Sequence, residues 1–102
     1  MDQSEPKAHA PITPGEILRT EFLEPLGITP YRLAQATGLT QTRIGEVIHG
    51  RRRITPDTGL RLSRALGVSE RFWINVQTDY DIEVAHDLHA TELDAVERLV
   101  AS

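Results

Sequence analysis

A chain of 102 residues, 39% of them hydrophobic, has the length of one domain with one modest core. It contains no cysteine, which excludes disulfides and thiolate metal sites, and no apolar run near the ~20 residues of a membrane span. The net charge of −4 argues at first against a polyanionic partner.

The distribution of that charge reverses the argument. Residues 1–28 carry −3, residues 29–67 carry +5 and residues 68–102 carry −6. A basic centre between acidic flanks is a local electrostatic footprint, and partners respond to the local field. Arg51, Arg52 and Arg53 are contiguous, and three adjacent like charges repel unless a polyanion answers them.

Residues 1–11 are polar and without period, so a flexible N-terminal tail is expected. These first residues also lack the basic start and apolar stretch of a signal peptide, so a cytoplasmic protein without membrane contact is expected. Thr13-Pro14-Gly15-Glu16 reads as a helix start, with Ile17, Leu18, Phe22 and Leu26 buried and Pro25 and Gly27 as the stop. Thr29-Pro30 opens a second helix, with Leu33, Ala34 and Ala36 inward, ending at Gly38. Thr40 caps a third, which ends at Gly50. Thr55-Pro56-Asp57 opens a fourth, with Leu60, Leu62, Ala65 and Leu66 inward, ending at Gly67. Ser69 caps a fifth, with Phe72, Trp73, Val76, Tyr80 and Val84 on its apolar face. No strand-like alternation of useful length occurs. The expected fold is all-α, with a five-helix helix-turn-helix domain over residues 12–86. Residues 87–102 form a C-terminal tail or a short sixth helix, with Thr91 as its cap and Leu93, Val96, Leu99 and Val100 at helical spacing.

Residues 33–50 carry the chemistry. Ala34 is small where two helices must approach, Gly38 suits a positive φ in the turn, and Leu39 plugs the corner. Ile44, Val47 and Ile48 form an inward stripe on the second helix of the pair. This is the layout of a helix-turn-helix, whose second helix enters the DNA major groove. Gln41, Thr42 and Arg43 stand in its first turn, where base edges are reached, and Glu46 is a further candidate that can accept from cytosine N4. Candidates for the DNA backbone are Thr29, Tyr31, Arg32, Thr40, His49, Arg51, Arg52 and Arg53.

Several stretches together resemble the HigA antitoxin family, within the larger Xre/Cro-like (lambda-repressor-like) group of helix-turn-helix regulators. They are Pro14-Gly15-Glu16-Ile17-Leu18-Arg19, Glu21-Phe22-Leu23-Glu24-Pro25-Leu26-Gly27, Ile48-His49-Gly50-Arg51-Arg52-Arg53-Ile54-Thr55, and Phe72-Trp73-Ile74-Asn75-Val76-Gln77 with Tyr80-Asp81. The helix-turn-helix is shared widely; the Phe-Trp-x-Asn-x-Gln stretch beside the Pro-Gly-Glu start is more specific. The resemblance implies a type II toxin–antitoxin module. Its antitoxin neutralises a HigB toxin, a RelE-like mRNA endonuclease, and represses the shared operon by binding a palindromic operator as a homodimer. Gly45 departs from the pattern, where relatives often carry Ser or Asn, and residues 87–102 are not covered.

Phe72, Trp73, Val76 and Tyr80 share one helix face, and aromatic residues favour interfaces, so a dimer contact is expected there. A toxin that grips RNA is basic, so Glu16, Glu21 and Glu24 are candidate toxin contacts. Catalysis finds little support: there is no Gly-x-Ser-x-Gly and no phosphate-binding glycine loop. His86 and His89 flank Asp87 without an evident third metal ligand, so neither a metal nor a cofactor is expected. The alternative reading is a stand-alone Xre-family repressor without a toxin partner. A protein-interaction module with a vestigial helix-turn-helix is weaker still.

Overall fold

Threonine caps set the helix starts. Thr13, Thr29, Thr40 and Thr55 sit in extended backbone, and each hydroxyl accepts a hydrogen bond from the backbone N–H three residues on. Proline follows three of them, at Pro14, Pro30 and Pro56, where its missing N–H costs nothing. The computed structural model describes residues 10–101, so residues 1–9 of the expected N-terminal tail lie outside the described residues. Helix α1 opens as Pro14–Ile17, widens into a π-helical stretch over Leu18–Leu23 and closes as Glu24–Leu26. Then follow α2 (Pro30–Thr37), α3 (Gln41–Ile48), α4 (Pro56–Leu66) and α5 (Phe72–Asp94). No strand occurs among the described residues, and the five-helix all-α expectation holds.

The core joins all five helices through Leu18, Leu23, Leu33, Ile44, Val47, Leu62 and Trp73, with Ile54 from the loop before α4. Each large apolar side chain taken fully from water contributes roughly 1.5–3 kcal/mol. Phe22, Phe72 and Trp73 form one aromatic cluster. Their centroids are 5.7 Å apart for Phe22–Phe72, 5.2 Å for Phe22–Trp73 and 5.1 Å for Phe72–Trp73, within the range where edge-on rings attract.

Ala36 and Ala65, expected inward, are exposed, and three further expectations are corrected. In α1, Leu23 is buried while Leu26 is 61% exposed. The π-helical stretch adds a residue to the turn before Pro25, whose ring crowds a regular α-helical carbonyl four residues back. That extra residue shifts the inward face. Ser69 does not cap α5 through its hydroxyl; its carbonyl accepts from Phe72 N at 3.0 Å, and the helix starts without a side-chain cap. Nor does α5 stop near Val84. It runs on to Asp94 with a local departure from helical geometry at His89 (φ −123°, ψ 24°). No Gly or Pro lies between residues 68 and 102 to stop it. The sixth helix is absorbed into α5, and Val96, Leu99 and Val100 lie beyond it, exposed.

The tightest backbone approach seats α3. A Cβ on Gly15 would stand 1.8 Å from the Val47 carbonyl oxygen and 2.8 Å from that of Ile48. The first turn of α1 therefore lies directly on the last turn of α3, at a distance only glycine permits. Gly15→Ala should destabilise the fold by about 1–3 kcal/mol in urea unfolding, the usual cost of overpacking. Gly45→Ala, with nothing within 4 Å of its Cβ, should instead stabilise by up to about 1 kcal/mol through helix propensity.

Candidate nucleic-acid interface

The turn between α2 and α3 is fixed by local and distant bonds. Gly38 takes φ +77°, and its N–H donates to Ala34 O at 3.0 Å. Thr37 Oγ1 donates to Leu33 O at 2.8 Å and accepts from Leu39 N at 3.3 Å. Arg61, on α4, donates from Nη1 to Thr37 O at 2.8 Å and from Nε to the Asp57 carboxylate at 3.1 and 3.2 Å. A cation on the last carbonyls of a helix also meets the negative end of its dipole.

With the turn fixed, α3 buries Ile44 and Val47, half-buries Ile48, and turns the opposite side outward. Gln41 and Thr42 are exposed and Arg43 is half-buried; among the described residues their side chains make no hydrogen bond or ion pair. Thr40 Oγ1 accepts from Arg43 N and Thr29 Oγ1 from Arg32 N, each at 3.0 Å, which leaves each hydroxyl its proton to donate. Arg32, Tyr31 and His49 are exposed, and Tyr31 Oη accepts from Gln35 Nε2 at 3.0 Å. The first turn of α3 and the caps of α2 and α3 thus all carry exposed polar groups.

Glu46 and the arginine run are already in contact. Arg51 N donates to Glu46 O at 2.8 Å and folds the loop back over the end of α3. Arg52 Nε donates to Glu46 Oε1 at 2.7 Å. Arg53 grips Asp81 on α5 with two bonds, Nη1 to Oδ1 at 3.2 Å and Nη2 to Oδ2 at 2.7 Å. The Arg51 guanidinium has no partner among the described residues. Gln77, buried on α5, accepts from Ile54 N at 2.7 Å and donates from Nε2 to Asp81 Oδ1 at 3.0 Å. The Arg53 hydrogen bonds hold the Asp81 carboxyl below the ordinary aspartate range, and Asp81 raises the Arg53 guanidinium in return.

Gln77, Asp81 and Arg61 are supporting residues whose role the sequence left unassigned. Gln77 had a signal: it falls four residues after Trp73, on the buried stripe, where a polar side chain needs a partner. Asp81 lies one turn further on the same face.

The expected dimer residues separate. Trp73 is 0% exposed, so its ring has no surface to offer a partner; its place at an interface is corrected to the core. Phe72 is half-buried in the aromatic cluster. Val76 and Tyr80 line an open groove between residues 10–13 and α5, with Glu16, Asp79 and Glu83 around it. Of the other acids of α1, Glu21 is exposed, and Glu24 accepts from Arg19 Nη1 at 2.6 Å.

Fold and site together define a helix-turn-helix protein: a helix-turn-helix family model matches residues 20–73. The chain is 46% identical over 74 residues to virulence-associated protein I of Dichelobacter nodosus, covering 72% of this chain and 68% of that protein. It is 35% identical over 92 residues to antitoxin HigA-1 of Vibrio cholerae serotype O1, covering 90% and 87%. The solved structure of Pseudomonas aeruginosa antitoxin HigA with the higBA promoter superposes with a TM-score of 0.80 at 34% identity, over 88% of this chain and 99% of that one. This chain belongs to the HigA antitoxin family of Xre-type helix-turn-helix proteins.

The Asp81 carboxylate has a pH signature. Because its folded-state pKa is depressed, its contribution is intact above the unfolded aspartate pKa and fades as pH falls through the folded value. The stability difference between the wild type and Asp81→Asn should be constant from pH 8 to 5 and shrink below about pH 4. Urea unfolding across that range checks it.

Proposed function

We propose that this chain is an antitoxin that represses its own operon by sequence-specific operator binding as a homodimer, and that neutralises a HigB/RelE-like mRNA-cleaving toxin. The observation that carries the DNA reading is the first turn of α3. Gln41, Thr42 and Arg43 project there without intramolecular partners, flanked by two capped helix starts and Arg51. In the major groove, Gln pairs with adenine, Arg with guanine, and a Thr methyl meets the thymine methyl. Thr29, Tyr31, Arg32, Thr40 and Arg51, exposed and polar, are the proposed phosphate contacts on either side. The HigA relative solved with the higBA promoter supports DNA binding by this family in general.

Helix α5 supports the homodimer. Its first two turns supply Trp73 and Gln77 to the core, and no residue of it beyond Gln77 is buried. Ile82, Leu88 and Leu93 stand out at 52%, 70% and 45% exposure. A palindrome needs two α3 helices ~34 Å apart, and a second copy on the outer turns of α5 supplies both the pairing and the cover. For the toxin, the acidic flank around Glu16 and Glu21, continued by Asp79 and Glu83, fits a basic partner.

Arg43→Ala should weaken binding to DNA from upstream of the gene by about 1–3 kcal/mol and weaken binding to random DNA less. An equal loss on both makes Arg43 a phosphate contact. Charge reversal at Glu16 and Glu21 should lower capture of the neighbouring gene's product in co-purification, while DNA affinity holds. Normal capture moves the toxin surface elsewhere, and absence of any captured partner with the wild type favours the stand-alone repressor. Ile82→Asp with Leu88→Asp should shift sedimentation from dimer to monomer.

A further inference from the structure

We propose that Glu46 is a specificity-determining residue that acts through Arg52: it holds the guanidinium back from DNA in general and releases it where the duplex offers the carboxylate a cytosine amino group. The inference rests on the DNA-binding reading above.

The three arginines after α3 stand in three different situations. Arg51 has no partner among the described residues and is open to any phosphate. Arg53 is tied by two bonds to Asp81, which is itself held by the buried Gln77 that also takes Ile54 N. Removing Arg53 from that site disturbs a buried node. Arg52 lies between these extremes. Its single bond to Glu46 is short, at 2.7 Å, but the two side chains are 46% and 34% exposed. An exposed pair of this kind is worth only about 0–1 kcal/mol, so it exchanges readily.

The position of Glu46 gives that exchange a direction. It lies one turn beyond Thr42 on the outward side of α3. If Arg52 left for a phosphate on arbitrary DNA, an unpaired carboxylate would face a polyanion, and the repulsion would pull the guanidinium back. In the major groove, a cytosine N4 amino group is the donor that suits a Glu carboxylate. Where the operator presents it, Glu46 keeps a partner and Arg52 gains a phosphate. The pair thus converts one base identity into one additional backbone contact.

The test titrates a duplex from upstream of the gene and a random duplex by fluorescence anisotropy over a salt series. It uses the wild type, Glu46→Gln, Arg52→Gln and the double variant. Glu46→Gln should narrow the preference for the specific duplex roughly five- to tenfold, mainly through tighter random binding. It should also steepen the salt slope on random DNA by about 0.9, one phosphate contact. The change in salt slope should vanish in the Arg52→Gln background, where no guanidinium is left to release. A Glu46→Gln variant that tightens both duplexes equally, with or without Arg52, shows a general charge effect and overturns the proposal. So does an unchanged preference. A wild type without any preference overturns the DNA reading itself, and the exchange falls with it.

Discussion

The geometry of this domain depends on a contact made by a residue with no side chain. At Gly15 the backbone of α1 comes so near the Val47 carbonyl that any Cβ would overlap it. Everything the recognition surface presents is referred to that contact. With its last turn pressed on α1, α3 can send Ile44 and Val47 inward only in one rotation, and that rotation fixes which side chains face out. A methyl group would lift α3 off its seat and tilt Gln41, Thr42 and Arg43 together. The Pro-Gly-Glu stretch thus has a structural meaning beyond starting a helix. Pro14 and Thr13 set the start, and Gly15 sets the distance.

A second tie acts at the other end of the readout surface. The loop after α3 carries like charges that repel, and it is held by α5 through a neutral amide and a carboxylate. Gln77 takes the Ile54 N–H inside the protein, and Asp81 takes Arg53 at its edge. Losing the amide would leave a buried backbone donor unsatisfied, at about 1–3 kcal/mol. The same helix carries the exposed apolar turns proposed for the second copy. Its first turns therefore anchor the arginine loop while its outer turns remain available, so the positions of the two α3 helices in a dimer would be set through α5.

Much of this was legible in the sequence where the chemistry is local. A threonine before a proline specifies a helix start through atoms three residues away, and Thr13, Thr29 and Thr55 all behave so. The inward stripe of Ile44 and Val47 and the positive φ at Gly38 are equally local. What periodicity could not show comes from pairs distant in sequence. Asp81 carries no local signal of its role, because its partner Arg53 lies 28 residues away. Arg61 carries none either, because the carbonyl it satisfies belongs to Thr37. Trp73 shared a helix face with Tyr80, and spacing cannot tell a core ring from an interface ring. Only the rings of Phe22 and Phe72 around it settle that. The π-helical stretch was invisible for a related reason: one inserted residue exchanges Leu26 for Leu23 without altering any local signal.

The paired arginines also change what the net charge means. Of the seven arginines in the basic centre, Arg52, Arg53 and Arg61 are occupied by Glu46, Asp81 and Asp57. The cations on the recognition side without a partner among the described residues are Arg32, Arg43 and Arg51, at the start of α2 and at the two ends of α3. With Arg43 on a base edge, phosphate contacts by Arg32 and Arg51 would correspond to a salt slope of about −1.8 per subunit. A contiguous run with all its members free would bind any duplex through charge alone. Dividing the run among a free, an exchangeable and an anchored guanidinium keeps that sequence-independent attraction small. On the proposed reading, discrimination then falls to the base edges offered to Gln41, Thr42, Arg43 and Glu46, and an acidic protein could select its DNA without adhering to the rest.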